Sequence, residues 1–362
     1  VRERALTHVK AIARPRAAGS IEEDDARRWC RDRLTESGFS ITEEPFAFSA
    51  AVGSWAAPLA GALSFVALTI GAWVVAEGGN VRALGAWTLV FATLVAAAGV
   101  WSARTGVLSF PLLRRESVNL IATRGVPDLW LVAHLDTKSQ PIPSLVRAGS
   151  LIVMGIALAV QSIGGLTGLA VVAPELVLAG ILPGAVAASV VSLAGVGNES
   201  PGARDNATGI VTVLLAAAAL PRERSLGVLL TSAEELGLAG ARAWCRSRPP
   251  GVAINVDTID DDGAVRCMTH GRSSRALAGE LARASEGGIV VQPLIPGILT
   301  DGVAMADAGW QVVTLSRGSL GTLGRIHRPS DDVRDLTGAG IAHVTSLLVG
   351  FLSQEHRAHD AA

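Results

Sequence analysis

Four long stretches of the chain contain no charged residue: 52–76, 83–103, 148–174 and 176–198. Each reaches the roughly 20 residues that cross a bilayer as a helix. Trp55, Trp73, Trp87 and Trp101 stand near the ends of the first two, where amphipathic rings settle at a membrane interface. Pro58, the Gly164–Gly165 pair and Pro183 would kink or divide individual spans. Because the stretches come in pairs, each pair returns the chain to the side it left. The pattern therefore predicts one polar domain, built from 1–50, 104–147 and 199–362, interrupted by two transmembrane hairpins at 51–103 and 148–198.

The polar segments alternate between two periodicities. Residues 1–39 read as helices, with Ser20 and Glu23 at the spacing of an N-terminal capping box. A turn and strand follow at 38–48. Further strands are expected at 118–123, 129–136, 226–235, 251–260 and 310–318, and helices at 209–220, 238–248, 273–286 and 335–356. Strands alternating with helices predict an α/β fold: a mostly parallel mixed sheet with helices on both faces.

Composition sharpens this picture. Of the 362 residues 49% are hydrophobic and 17% charged, against about 25% charged in a typical globular chain. Mean hydropathy is +0.42. A net charge of -1 and the absence of tyrosine exclude a nucleic-acid partner as the expected ligand. Cys30, Cys245 and Cys267 are too far apart for a cysteine zinc site, and their odd number favours a reducing compartment. The first fifty residues contain no apolar signal region. Arg104, Arg114, Arg115 and Arg147 flank the spans on the polar side, while the hairpin turns offer chiefly Arg82 and Glu175. An integral membrane protein with a cytoplasmic catalytic domain, and the lipid bilayer as a partner, is the resulting expectation.

Candidate chemistry gathers at predicted strand ends, where open α/β sheets build their sites. "LVAHLDTK" supplies His134 and Asp136, two residues apart and so on one side of an extended strand. "PGARDNATG" supplies Asp205 and Asn206 before an apolar helix, "LLTSAEELGLAG" the adjacent Glu234 and Glu235, "INVDTIDDDG" Asp257, and "GRIHRPSDD" His327. Taken singly, each reads more simply as a cap, a turn or a solvated pair. Together, two histidines and three carboxylates suffice to hold two zinc ions that share one carboxylate. The remaining glutamate is then free to move a proton between water and a leaving amine.

"HLDT", "PGARDNATG", "SAEELGLAG", "NVD" and "IHRPSDD" resemble, in order, the site motifs of the zinc-dependent aminopeptidases related to aminopeptidase Y and glutamate carboxypeptidase. The resemblance implies His134, Glu235, Asp257 and His327 as terminal ligands of two Zn2+ ions, with Asp205 bridging. It implies Glu234 as general base and acid, and Asp136 as the group orienting the first site. Asp301 falls at an acidic position of the family, there to buttress His327 or the adjacent loop. The implied activity is peptide-bond hydrolysis on a peptide or N-terminal segment, with a carboxypeptidase or N-acyl amino acid amidohydrolase as the alternative. A cyclase-like acyltransferase using one zinc is a third reading, and a catalytically silent membrane module the different-class alternative. Some relatives use a tyrosine to stabilise the oxyanion; this chain has none, leaving the second zinc, a histidine such as His270, or backbone donors. A hydrophobic insertion between "HLD" and the Asp-Asn turn departs from the family, making it a membrane-embedded variant with its catalytic mouth at the bilayer surface.

Overall fold

In the computed structural model, which describes residues 1–285, 288–295 and 297–360, the chain forms two compact units. The first comprises 1–49, 113–139 and 197–362; the second comprises 50–112 and 140–196.

The first unit is built on eight strands: β1 (Ser40–Ser49), β2 (Arg114–Arg124), β3 (Leu129–His134), β4 (Leu226–Thr231), β5 (Val252–Ile259), β6 (Ala264–Thr269), β7 (Ile289–Pro293) and β8 (Gln311–Gly318). Their order across the sheet is β1-β2-β4-β3-β5-β8-β6-β7. The central four, β4-β3-β5-β8, are parallel, while β1, β2 and β6 pair antiparallel with their inner neighbours and β7 runs parallel to β6. Every residue of β4 is buried, as a strand covered on both faces requires. The helix Gly209–Ala219 is buried almost all round and packs on β3 and β5, with the C-terminal helix Ala339–Asp360 over it. All three cysteines are free and buried, and burial pushes each thiol up to about 12.

β6 and β7 have no counterpart among the expected strands. β6 is a short run broken by Arg266 that follows β5 after a tight turn at Gly263 (φ +83°), and β7 is an exposed edge strand of five residues. Neither carries an apolar run long enough to stand out. The helix expected over 273–286 spans Arg275–Ala284; residue 286 lies outside the described residues. Ser20 does cap its helix, accepting from the Glu23 N–H at 3.2 Å. The Glu23 carboxylate, however, accepts the Gly19 N–H rather than that of Ser20, and reaches inward to the Ser117 and Ser232 hydroxyls.

The second unit consists mainly of the helices Ala50–Ala76, Val81–Trp101, Ser144–Thr167 and Pro174–Ser192. Small residues let them pack closely. A Cβ at Gly61 would stand 2.5 Å from the Ser192 nitrogen, and one at Gly165 2.3 Å from the Val81 carbonyl oxygen. The buried Gln161 amide ties three helices together, donating to the Ala67 carbonyl (3.2 Å) and the Thr88 hydroxyl (2.8 Å). All four helices are long and apolar enough to cross a membrane by length and composition, and large apolar side chains such as Trp73, Leu94 and Val186 remain exposed on them. Gly165→Ala is expected to cost about 1–3 kcal/mol through this overpacking, read as a lower denaturant midpoint for loss of helical circular dichroism.

Candidate metal centre

The site is assembled by the carboxyl ends of β3, β4 and β5 and by two loops. His134 is the last residue of β3. Its Nδ1 donates to the Asp136 carbonyl at 3.0 Å, which leaves Nε2 as the nitrogen able to bind a metal. That Nε2 lies 3.0 Å from Asp205 Oδ1 and 3.8 Å from Asp257 Oδ1. On the other side, His327 Nε2 lies 3.0 Å from Asp205 Oδ2 and 3.1 Å from Glu235 Oε1. The two oxygens of Asp205 thus face different histidines. Two ligand clusters result, His134–Asp205–Asp257 and Asp205–Glu235–His327, each with its ligand atoms within 4.8 Å of one another.

Neighbouring groups hold these ligands in place. The Asp136 carboxylate accepts the N–H groups of Glu234 (3.0 Å) and Glu235 (3.1 Å), so one residue fixes both the His134 ring and the turn after β4. Asn206, joined to Asp205 by a cis peptide bond, donates to the Val256 carbonyl and accepts from Thr258 N–H, fastening its turn to β5. Ala233 (φ +53°), Thr258 (φ +59°) and His327 (φ +61°) adopt the left-handed backbone region although none is glycine. Such strain is characteristic of places where surrounding structure dictates geometry.

The donor set fits zinc. Asp136, Asp205, Glu234, Glu235, Asp257 and Asp301 are all buried in or beside the site, around the His134 and His327 imidazoles, with Lys138 against Glu235. Burial, reinforced by Glu235, Asp257 and Asp301, pushes the Glu234 carboxyl well above the ordinary range despite the opposing pull of His134. Burial raises Asp257 as well. A pocket that holds so many carboxylates around two imidazoles is short of positive charge, and nitrogen and oxygen donors suit a divalent, borderline-soft cation.

Residues 184–352 match the profile described as "Peptidase family M28", a stretch that takes in Asp205, Glu235, Asp257 and His327. The chain is a zinc-dependent metallopeptidase. Its fold is shared with a zinc aminopeptidase from Bacillus subtilis (12% identity, 98% of this chain and 95% of that one, TM-score 0.58). It is equally shared with a glutaminyl cyclase from Porphyromonas gingivalis (12% identity, 98% of each chain, TM-score 0.58). An aminopeptidase from Aneurinibacillus sp. strain AM-1 aligns at 13% identity over 98% of this chain and 93% of its own, with a TM-score of 0.55. No curated protein sequence matches the chain.

These alignments correct the membrane reading. They span a share of the chain too large to omit the apolar helices, and what they support is an α/β fold with a mixed sheet and flanking helices. They contradict a membrane-embedded variant, a sheet interrupted by transmembrane hairpins, a lipid-bilayer partner and an integral membrane localisation, and the bilayer-facing catalytic mouth falls with them. Hydropathy along a sequence measures whether a helix could enter a bilayer, whereas part of that apolar surface lies in the close helix packing around Gln161.

Asp301 and His270 were expected near the site from the sequence, whereas Lys138 and Asp331 were not. Asp301 is placed at the end of β4, where it accepts the Thr231 hydroxyl, and burial pushes it up to about 7. His270 lies outside both ligand clusters, its Nε2 2.8 Å from the Thr314 hydroxyl. Lys138 Nζ sits 2.7 Å from Glu235 Oε2, the oxygen turned away from His327. Asp331 clamps the Asp205 turn: its carboxylate accepts the N–H groups of Arg204 (2.9 Å) and Asp205 (3.1 Å), and its carbonyl that of Ala203 (3.0 Å). Both Lys138 and Asp331 stand inside the quoted motifs, but a salt bridge and a cross-loop clamp have no local spacing to betray them. Asp331→Ala would leave two buried donors unpaired and is expected to destabilise the protein by about 2–4 kcal/mol, measured by chemical denaturation of the zinc-loaded chain.

Proposed function

We propose that this metallopeptidase is an aminopeptidase in which Glu234 is the general base and acid and Asp136 the orienting residue. The observation that carries this is the Asp136 clamp, which joins the His134 ligand to the turn bearing Glu234 and Glu235. Asp205, Glu235, Asp257, His134 and His327 would hold two zinc ions. When bound, these polarise the scissile carbonyl and make the attacking water more acidic. Glu234 belongs to neither ligand cluster yet is buried beside both, which leaves its carboxylate free to accept the proton of the attacking water. It then delivers that proton to the amine nitrogen as the C–N bond breaks. Protein groups that exclude solvent from Glu234 keep the proton in this exchange rather than losing it to bulk water.

A second reading is aminoacyl cyclisation, which the fold shared with glutaminyl cyclase favours. The test is a panel of dipeptide amides with free, N-acetylated or N-terminal glutaminyl ends. Release of the first residue only from free-amine substrates supports the aminopeptidase. Turnover confined to N-acetylated substrates, or loss of ammonia without peptide cleavage from the glutaminyl ones, would overturn it.

A further inference from the structure

A cavity of about 260 Å³ lies in the α/β unit far from the ligand clusters. Its place in the sheet is fixed by register. Arg124, which lines it, pairs with Leu226, the first residue of β4, whereas the last, Thr231, leads to Glu234 and Glu235. The helix Gly209–Ala219 starts just after Asp205, and the cavity touches its second half at Leu214, Leu215 and Ala218. Five residues of extended strand separate Leu226 from Thr231, about 17 Å, so the cavity lies at the other end of β4 from the metal ligands.

Four arginines converge on this cavity, Arg4, Arg33, Arg124 and Arg222, together with His8; the one carboxylate in the lining is that of Glu36. Part of this charge has a local role. Arg124 and Arg222 donate to the Ser37 and Glu36 carbonyls at the carboxyl end of the helix Ile21–Glu36, where cations are favoured. Arg33 pairs with Glu36 at 3.1 Å. These bonds consume few of the five N–H donors that each guanidinium carries. Arg33 Nε and one terminal nitrogen of Arg124 are buried without a hydrogen-bond partner, although Arg124 is only 7% exposed. Burial, then Arg4 and Arg33, push the His8 imidazole below its ordinary value, as a locally positive field would. The opposite wall, Leu214, Leu215, Ala218 and Leu220, is apolar.

We propose that this cavity binds a small oxyanion, a phosphate or carboxylate group carried on an apolar body, at a site separate from the metal centre. The guanidiniums supply charge-assisted donors for the oxyanion, and the leucines take the apolar part. The arginines repel one another more than Glu36, and Glu223 beside Arg124, can offset, and a bound anion relieves that repulsion.

The test is calorimetric titration of the zinc-loaded, 362-residue chain with phenyl phosphate, benzoate and inorganic phosphate. Saturable binding of phenyl phosphate or benzoate at one site per chain is expected, tighter than for inorganic phosphate, weakening as salt rises and persisting after the metal is chelated. Whichever of the first two binds tighter identifies the headgroup. Arg33→Gln/Arg222→Gln should weaken it at least tenfold without changing peptidase activity. Arg222→Gln alone, at an exposed position, should weaken it about threefold with the melting temperature unchanged. The proposal is overturned if none of the three anions saturates, if binding vanishes with the metal, or if both variants bind as wild type does.

Discussion

Glu234→Gln should lower kcat by about 10²–10⁴-fold while leaving two zinc ions bound. The substitution keeps the size of the side chain and removes its capacity to accept a proton. Glu234 lies in neither ligand cluster, so zinc content is expected to stay at the wild-type value. Its burial among Glu235, Asp257 and Asp301 makes the native site a poor place for another negative charge. A neutral amide therefore does not destabilise the fold, and the melting temperature should be unchanged or higher. This combination separates proton transfer from metal binding and from folding. Retention of more than about a tenth of wild-type kcat at full zinc occupancy would remove Glu234 from the chemistry.

The contrast between Glu234 and its neighbours shows what the sequence could disclose. The ligand types were legible because each sits where a β-run stops or a glycine-rich turn begins: His134 at the end of β3, Glu235 after β4, Asp205 before a helix. Strand order is what draws them together, and order is set by long-range pairing that local periodicity does not encode. Even so, β3, β4 and β5 being adjacent and parallel is the arrangement their buried, apolar character favours. Groups acting at a distance were hidden for the same reason. Glu23 reads locally as a capping residue, yet its carboxylate also meets the hydroxyls of Ser117 and Ser232, 94 and 209 residues away. Burial and the charge of Asp136 push it up to about 7. The apolar helices posed the opposite problem. Their pattern is conspicuous, but it fixes only that helices form, and the surroundings of a helix are not written in its hydropathy.

Asp205 is the position at which a single substitution should affect both metal sites. Its two carboxylate oxygens face His134 and His327 at 3.0 Å each, and it is the one residue common to both clusters. Asp205→Asn keeps the shape and one oxygen but removes the charge, and the backbone of the turn remains tied to Asp331. Asp257→Asn, by comparison, touches only the His134 cluster, and His327→Gln only the other. Zinc binding stabilises the folded chain by mass action, about 2.7 kcal/mol for each site at a free-metal concentration of 100 Kd. Melting curves taken across buffered zinc concentrations should then show two stabilising increments for the wild type. Asp257→Asn and His327→Gln should show one each, and Asp205→Asn should lose at least about tenfold in affinity at both sites. Activity of Asp205→Asn should fall by at least about 10³-fold, because positions that polarise the carbonyl and acidify the water depend on it together. If Asp205→Asn instead leaves one increment at its wild-type zinc concentration, the carboxylate serves a single ion, and the two clusters are independent sites rather than one dinuclear centre.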